Sequence, residues 1–243
     1  VNKSNPDLLV NIFINKNFCH VSLDTSGEPL YKRGYRIVLH EASINEVLAA
    51  GLIRLSNWDK TGYFYDPMCG AGTIPIEAAM YAMNMPAGYY RKHWGFMNWK
   101  NYDTDKWQNI INKYTYTPLS NNVKIIASDI AVNPISQAKK NFASARMLKT
   151  IQLSKTSFAE LKPLSDSGIL IINPPYNKRL TLETSTLFYE EIGNTLKQSF
   201  KGHEAWIISS DLEAIKHVGL KANKKIKLFN GPDESRFHRF ICY

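Results

Sequence analysis

Residues 169–176 carry the clearest chemical signal of the chain, because four apolar residues run directly into an Asn-Pro-Pro-Tyr tetrapeptide. The two prolines fix the backbone and remove two N–H donors, which leaves carbonyl oxygens free to accept hydrogen bonds. The side-chain oxygen of Asn173 and the carbonyl oxygen of Pro174 can together accept from the exocyclic amine of a nucleic-acid base. Such an amine is a poor nucleophile, because its lone pair is delocalised into the ring. Two acceptors favour a more tetrahedral nitrogen, so the tetrapeptide indicates attack by a base amine on an electrophile.

The tetrapeptide ends in a tyrosine that can stack on the base, an interaction worth ~1–3 kcal/mol. We therefore predict a catalytic segment formed by Asn173, Pro174, Pro175 and Tyr176. The alternative is a rigid Pro-Pro turn with a buried tyrosine. We favour the catalytic interpretation, because a glycine-rich loop stands upstream in the same architecture.

That loop, residues 66–73, follows a compact apolar strand and opens a helix. Gly70 and Gly72 permit a tight turn and a close approach of the backbone to a ligand. The loop lacks the Lys-Ser/Thr pair of a P-loop, and Pro75 stands where a dinucleotide-binding loop has its third glycine. Asp66 could accept from a ligand amine or pair with a cation, and a sulfonium amino acid carries both. The predicted cofactor-binding residues of the loop are Asp66, Pro67, Met68, Cys69, Gly70, Ala71, Gly72 and Thr73.

A second acidic residue favours this interpretation over a purely structural turn in which Asp66 caps the helix. Asp129 ends the next predicted strand, where an acid typically binds ribose hydroxyls, and Ile130 follows it. The distance from Asp66 exceeds the usual ~20 residues. We attribute the excess to an insertion over residues 84–122 that interleaves aromatic and basic residues. Most of its aromatic side chains are predicted to pack together, although some could form the wall of a nucleic-acid groove.

The rest of the chain predicts the elements that position these loops. A capping box, with Ser43 as the cap and Glu46 three residues later, predicts a helix that ends at about Ser56. Apolar strands then alternate with amphipathic helices, and a closing pair covers residues 225–229 and 237–243. Alternation of this kind predicts an α/β fold, a doubly wound and mostly parallel sheet with an antiparallel edge strand.

Composition narrows the class of protein. The chain has 243 residues, 44% of them hydrophobic, which suits one α/β domain with a small appendage. The formal net charge of +9 favours a polyanionic partner. Three scattered cysteines favour a reducing, cytoplasmic setting and argue against a disulfide framework. The sequence shows neither metal-ligand spacing nor an apolar run that could span a bilayer, and it predicts no particular oligomeric state.

Four short segments, with the two loops, resemble the THUMP-associated class I RNA methyltransferases. The resemblance is strongest to RlmL-like bacterial guanine-N2 methyltransferases of large-subunit ribosomal RNA. The segments are residues 23–27 (Leu-Asp-Thr-Ser-Gly), 32–36 (Lys-Arg-Gly-Tyr-Arg), 75–79 (Pro-Ile-Glu-Ala-Ala) and 230–232 (Asn-Gly-Pro). The resemblance implies a Rossmann-like class I methyltransferase fold with a seven-stranded sheet. It also implies S-adenosylmethionine (SAM) as the methyl donor and guanine N2 in RNA, most simply 23S ribosomal RNA, as the acceptor.

The resemblance also implies residue roles and domain boundaries. Asp66, Gly70 and Gly72 would line the methionine part of the cofactor, Asp129 would bind the ribose, and residues 173–176 would hold the base, with Asn173 also near the cofactor. Residues 1–27, which include a predicted hairpin, would be the C-terminal remnant and linker of a THUMP-like RNA-binding domain. Residues 28–243 would be the methyltransferase domain. Because the chain lacks an initial Met, we expect it to be part of a longer protein.

One position departs from the family pattern. Ser157 stands where an Asp usually reads the adenine of the cofactor, so Ser157 or a backbone amide would take that role. The predicted RNA-contacting residues are Arg33, Tyr35, Arg36, Lys178 and Arg179. The alternatives are that the first three fix the linker to the domain and that the last two form a solvated turn.

Two other functions stay open at the level of sequence. An adenine-N6 methyltransferase acting on DNA or RNA would use the same Asn-Pro-Pro-Tyr segment, although the THUMP-like N-terminus favours RNA. A catalytically silent RNA-binding or assembly module is favoured only by Ser157.

Overall fold

The computed structural model of the protein describes residues 6–38, 43–114, 116–175 and 182–243. These residues form a two-stranded hairpin and a seven-stranded sheet flanked by helices. The strands are β1 (Val10–Asn15), β2 (Phe18–Leu23), β3 (Gly62–Asp66), β4 (Val123–Asp129), β5 (Ile151–Lys155), β6 (Ile169–Ile172), β7 (Glu204–Ser209), β8 (Ala222–Asn230) and β9 (Asp233–Ile241). The helices are α1 (Glu46–Leu55), α2 (Thr73–Ala82), α3 (Thr104–Lys113), α4 (Val132–Ser144) and α5 (Leu182–Ser199), with short 3₁₀ helices at Gly95–Asn98 and Ala214–Val218.

The large sheet has the strand order β5-β4-β3-β6-β7-β9-β8. The strands from β5 to β7 are parallel, and β9 runs antiparallel to both of its neighbours. The predicted fold class is confirmed, although the antiparallel strand lies one position inside the edge. The reason is that the closing hairpin pairs with β7 through its second strand, which leaves β8 outermost. The strand order reverses between β3 and β6, and ligands of such sheets bind at that reversal, beyond the carboxyl ends of the strands.

Both faces of the sheet are covered, as the continuous apolar sequence of β6 requires. Helices α1, α2 and α4 bury Leu52, Ile76 and Phe142 on one face. Helix α5 buries Ile192 and Leu196 on the other face. This packing makes the central strands a rigid base for the loops that follow them.

Helix α1 begins differently from the predicted capping box. Asn45 is the N-cap, and its side-chain oxygen accepts from the backbone N–H groups of Val47 at 2.9 Å and Leu48 at 3.4 Å. Glu46 is the first helical residue, so the prediction of Ser43 as the cap was wrong. Asn is as good a cap as Ser, and its choice here leaves the carboxylate of Glu46 free to pair with another element.

The aromatic insertion, residues 84–122, contacts the C-terminal end of α2. Its side chains pack on one another, with the ring centroids of Phe96 and Trp107 4.9 Å apart. The Thr117 N–H donates to the carbonyl oxygen of Met83 at the end of α2, 2.9 Å away. Because α2 starts at the carboxyl edge of the sheet, this contact places that part of the insertion at the end of α2 away from the glycine loop. The packing predicted for most of these aromatics agrees with this arrangement.

The N-terminal hairpin of β1 and β2 has its own two-stranded sheet, and every residue of both strands is exposed. The linker after it is held in place, because the N–H of Gly95 donates to the carbonyl oxygen of Ser26 at 3.1 Å. In the part of the chain that the structure describes, no helix is long and apolar enough to cross a membrane.

Candidate active site

A cavity of about 390 Å³ opens at the carboxyl edge of the sheet, beside the reversal between β3 and β6. Its walls are the segments that follow β3, β4, β5 and β6, together with parts of α4 and α5. The predicted site residues that line it are Asp66, Pro67, Met68, Cys69, Gly70, Ala71, Thr73, Asp129, Ile130, Ser157, Asn173, Pro174 and Pro175. The two loops that the sequence singled out therefore meet at one cavity. Tyr176, Lys178 and Arg179 lie outside the described residues.

The glycine loop is held tightly against its neighbours. Gly70 and Gly72 have φ angles of +53° and +82°, which L side chains rarely adopt. A Cβ on Gly72 would stand 2.4 Å from Cε1 of Phe142 on α4, so Gly72 permits close packing rather than lining the cavity. The N–H of Gly70 donates to Asp129 Oδ2 at 3.0 Å, which ties the loop to the end of β4.

Asp66 ends β3 with a carboxylate that is 1% exposed. Its Oδ1 accepts from the N–H of Met68 at 3.3 Å, whereas its Oδ2 has no hydrogen-bond partner among the described residues. Burial raises the pKa of Asp66 well above its usual value, and the nearby Asp129 raises it further. Burial also raises the pKa of Cys69, which disfavours the reactive thiolate form. Asp66 therefore lines the cavity and carries a buried oxygen that has no hydrogen-bond partner among the described residues.

Asn173 presents a second unpartnered acceptor. Its Oδ1 is buried and meets no hydrogen-bond donor within the described ranges, although the residue lines the cavity. Asn173 follows directly on the fully buried β6, where Leu170, Ile171 and Ile172 have no exposed surface. A side chain directly after such a strand is held rigidly, so Asn173 Oδ1 has a fixed position at the end of β6.

Ser157, which lies after β5, forms hydrogen bonds with a residue three positions along the chain. Its hydroxyl donates to Glu160 Oε2 at 2.7 Å, and the N–H of Glu160 donates back to the hydroxyl oxygen at 3.3 Å. Ser157, Phe158 and Ala159 line the part of the cavity beyond Asp129. The position predicted to read adenine is thus at the cavity wall, with a serine hydroxyl oriented by a neighbouring carboxylate.

Arg33 and Tyr35, predicted as RNA contacts, point into the protein. Tyr35 is 1% exposed and donates from its hydroxyl to Glu77 Oε1 at 3.0 Å. Arg33 Nε lies 3.4 Å from the same oxygen. Burial raises the pKa of Tyr35 and of Glu77, while Arg33 opposes the rise at Glu77. This placement fits the alternative that these residues fix the linker to α2, and it leaves no aromatic surface of Tyr35 open to a base.

Arg36 is also turned inward, toward the start of α2. Its Nη2 donates to Thr73 Oγ1 at 2.6 Å and to the carbonyl oxygen of Ile44 at 2.8 Å. Its Nε lies 3.3 Å from Glu46 Oε1 in a buried ion pair. Arg36 thus joins α1 to the glycine loop, and its position does not support a direct contact with RNA.

Several cavity residues were not among the predicted site residues. Gln137 on α4 lines the cavity and has a buried Oε1 without a hydrogen-bond partner in the described part of the chain, and Glu191 and Thr195 line the cavity from α5. Helical spacing predicts which face of α5 packs on the sheet, but not which of its residues reaches the strand ends. The described residues contain no group of three or more His, Cys, Asp or Glu side chains arranged to hold a metal ion.

The chain is similar to known proteins in both sequence and fold. The ribosomal RNA large subunit methyltransferase K/L of Psychromonas ingrahamii is 36% identical over 241 residues, which cover 96% of this chain and 32% of that protein. The crystal structure of SMU.472 complexed with SAH superimposes with a TM-score of 0.86 at 31% identity, over 97% of this chain and 62% of that one. A structure from Listeria monocytogenes, described as a predicted N6-adenine-specific DNA methylase, gives 0.85 at 30% identity, over 96% and 60%. The chain thus spans about a third to three fifths of these relatives.

The family-level match covers most of the chain. The profile of the UPF0020 family, described as RMKL-like, methyltransferase domain, matches residues 33–238, which include both loops and all of the large sheet except the last residues of β9. Beginning at Arg33, the matched region leaves out the hairpin of β1 and β2. The chain belongs to the UPF0020 family of RMKL-like methyltransferase domains.

Proposed function

We propose that this domain transfers a methyl group from SAM to the N2 amine of guanine in RNA, and that the RNA is large-subunit ribosomal RNA. The observation that carries the proposal is a pair of buried acceptors, Asp66 Oδ2 and Asn173 Oδ1. Both belong to residues that line one cavity, and neither has a partner among the described residues. A buried acceptor costs free energy until a donor meets it, so the cavity suits ligands that bring donors to both sites.

The residues present fit the cofactor. Asp66 would accept from the amino group of the methionine part, and its carboxylate also favours the positive charge of SAM. Asp129 would accept from the ribose hydroxyls, and the Ser157 segment would border the adenine. When bound, SAM supplies an activated methyl group on sulfonium sulfur. A strong general base and a metal ion are therefore unnecessary in this proposal.

The chain's contribution to the transfer is positioning and electrostatics. Asn173 Oδ1 and the Pro174 carbonyl oxygen would each accept one hydrogen of the base amine, which directs its lone pair toward the methyl donor. Holding two reactants in this way replaces an encounter in solution by a reaction between fixed partners. Tyr176 remains the predicted stacking partner of the base. The name of the Psychromonas relative supports ribosomal RNA as the substrate class.

Adenine N6 is a second candidate acceptor, because the same two oxygens would serve either base. The description of the Listeria structure favours it. Guanine N2 in RNA is preferred over this second candidate on three grounds. These are the net charge of +9, the RNA methyltransferases that the sequence resembles and the Psychromonas relative.

The test has two steps on the intact chain. Isothermal titration calorimetry with SAM should give a saturable heat, and Asp129→Ala should weaken the affinity. Radiolabelled transfer to RNA from cells that lack the protein, followed by mass spectrometry of the nucleosides, should yield N2-methylguanosine. N6-methyladenosine would instead support the second candidate. A folded protein with no heat and no transfer would support the silent module and contradict the proposal.

A further inference from the structure

The Asn-Gly-Pro segment at residues 230–232 forms the tip of the hairpin of β8 and β9. The register of the sheet places this tip. Ile172 at the end of β6 pairs with Ile207, and Ser209 at the end of β7 pairs with Arg236. The hairpin therefore reaches the carboxyl edge of the sheet at Arg236, level with the residues that follow β6.

Three more pairs of the hairpin extend past that level, from Leu228 opposite Ser235 to Asn230 opposite Asp233. At about 3.4 Å per residue, the tip projects about 10 Å beyond the edge. Strand β9 is two strand spacings from β6, which is again about 10 Å. The tip thus stands beside the cavity that Asn173 lines, within the span of a few nucleotides.

One face of the hairpin combines an exposed aromatic ring with cations. Cross-strand partners share a face, and the register gives three successive pairs: Lys225 with His238, Lys227 with Arg236, and Phe229 with Glu234. Phe229 is 58% exposed, and Lys227 Nζ lies 5.5 Å from the centre of its ring. Three cationic side chains stand here against the single carboxylate of Glu234, which pairs with Lys227 at 2.7 Å.

The positive charges on this face affect the pKa of the neighbouring His238. Burial, together with the charges of Lys225 and Arg236, lowers the pKa of His238 to about 4. His238 is therefore neutral at physiological pH and adds no charge of its own. Among the described residues, Lys225 forms no ion pair, and Arg236 has only a long one, with its Nη2 4.0 Å from Glu234 Oε1.

A structural role explains only part of this surface. Lysines on an edge strand such as β8 discourage pairing with another sheet. An exposed phenylalanine at the tip does not serve that purpose, because an apolar side chain favours association with another sheet. An aromatic ring beside cations is instead the combination on which single-stranded nucleic acids stack.

We propose that the hairpin face formed by Lys225, Lys227, Phe229 and Arg236 binds single-stranded RNA next to the target base, with Phe229 stacking on an unpaired base and the cations contacting its phosphates. The inference rests on the proposed function, because it takes RNA as the substrate. It adds a docking surface to that site.

The experiment measures binding of a fluorescein-labelled, mixed-sequence 12-nucleotide RNA by fluorescence anisotropy across a salt series, with intact variants. Phe229→Ala should weaken binding by about 5- to 100-fold, the equivalent of one lost stack. Phe229→Tyr should retain the affinity, because tyrosine also stacks. The double variant Lys225→Ala with Arg236→Ala should reduce the slope of log affinity against log salt by about 1.4, or 0.7 for each phosphate contact.

The matched control is the double variant Lys113→Ala with Tyr114→Ala, which removes an exposed cation and a 65% exposed ring from the end of α3. This site belongs to the aromatic insertion, and no described residue of the insertion lines the cavity, so RNA binding should not change. Calorimetry with SAM on the same variants should show unaltered affinity. If the wild-type chain bound no SAM, the proposed function would fail while the RNA measurement still stood. Unchanged RNA binding in the hairpin variants, or loss of binding in the control, would overturn the inference.

Discussion

Asp66 is the residue at which binding and stability are expected to oppose each other. Its raised pKa means that the folded protein holds a proton which the unfolded chain releases at a lower pH. The contribution of Asp66 to the free energy of unfolding is therefore greatest below the ordinary Asp pKa and falls as the pH rises toward the raised value. A cationic ligand reverses this preference, because it favours the ionised form.

We predict that Asp66→Asn stabilises the free protein at neutral pH and weakens SAM binding by about 10- to 100-fold, as expected for loss of a charged hydrogen bond. Thermal unfolding over a pH series should show that the wild-type loss of stability with rising pH is smaller in the variant. Calorimetry gives the affinity. A variant that is less stable and still binds SAM normally would contradict the assignment.

Tyr35 tests whether the buried contacts of the linker are structural. Tyr35→Phe removes the hydrogen bond to Glu77 and leaves a buried carboxylate oxygen less well satisfied. We predict a loss of about 1–3 kcal/mol in the free energy of unfolding, measured by urea denaturation, with no change in RNA affinity. Weaker RNA binding at unaltered stability would contradict the structural role and support Tyr35 as an RNA contact.

The residues differ in how far the sequence could predict them. Asp66 and Asn173 each follow an apolar strand, and the carboxyl ends of parallel strands meet at one edge, so their convergence could be inferred. Arg33 and Tyr35 could not be placed in this way, because their partner Glu77 is 44 and 42 positions away. No local pattern shows that a charged segment will turn inward onto a helix.

At the scale of elements, the glycine loop depends on its packing against α4. Gly72 has a φ angle of +82°, and a Cβ added to it would lie 2.4 Å from the ring of Phe142. We predict that Gly72→Ala lowers the free energy of unfolding by about 1–3 kcal/mol and weakens SAM binding, because the loop must move away from α4.

The chain offers a matched control in α1. A Cβ on Gly51 would meet nothing within 4 Å, so Gly51→Ala should stabilise the protein by up to about 1 kcal/mol through helix propensity. Chemical denaturation of both variants, with calorimetry, makes the comparison. Equal effects of the two substitutions would show that the loop does not depend on this contact.

The elements were predicted well where hydrophobic periodicity dominates and less well at their ends. The alternation of strands and helices was sufficient to predict the sheet. The start of α1 was misassigned because Ser43, Asn45 and Glu46 offer overlapping capping signals, and only the backbone geometry selects Asn45. Helix α3 was not predicted, although Asp103 is a capping residue and Trp107, Ile110 and Ile111 follow it at helical spacing.

For the molecule as a whole, the hairpin of β1 and β2 stands apart from the packed core. Its paired residues Ile12 and Val21 are 64% and 66% exposed, whereas Ile53 on α1 has no exposed surface. We predict that Ile12→Ala changes the free energy of unfolding by less than about 0.5 kcal/mol, while Ile53→Ala costs about 2–5 kcal/mol. Denaturation of the intact chain measures both. A large effect of Ile12→Ala would mean that the hairpin is packed in solution.

The central claim is that the ends of β3 and β6 bring a methyl donor and an acceptor pair together, and Asn173→Ala tests it most directly. The measurement is the rate of methyl transfer to RNA at saturating SAM and RNA, with the SAM dissociation constant determined in parallel. We predict a rate lower by about 10²- to 10³-fold, the usual cost of removing one preorganised polar group, with SAM affinity nearly unchanged. A variant that transfers methyl groups at the wild-type rate would contradict the account.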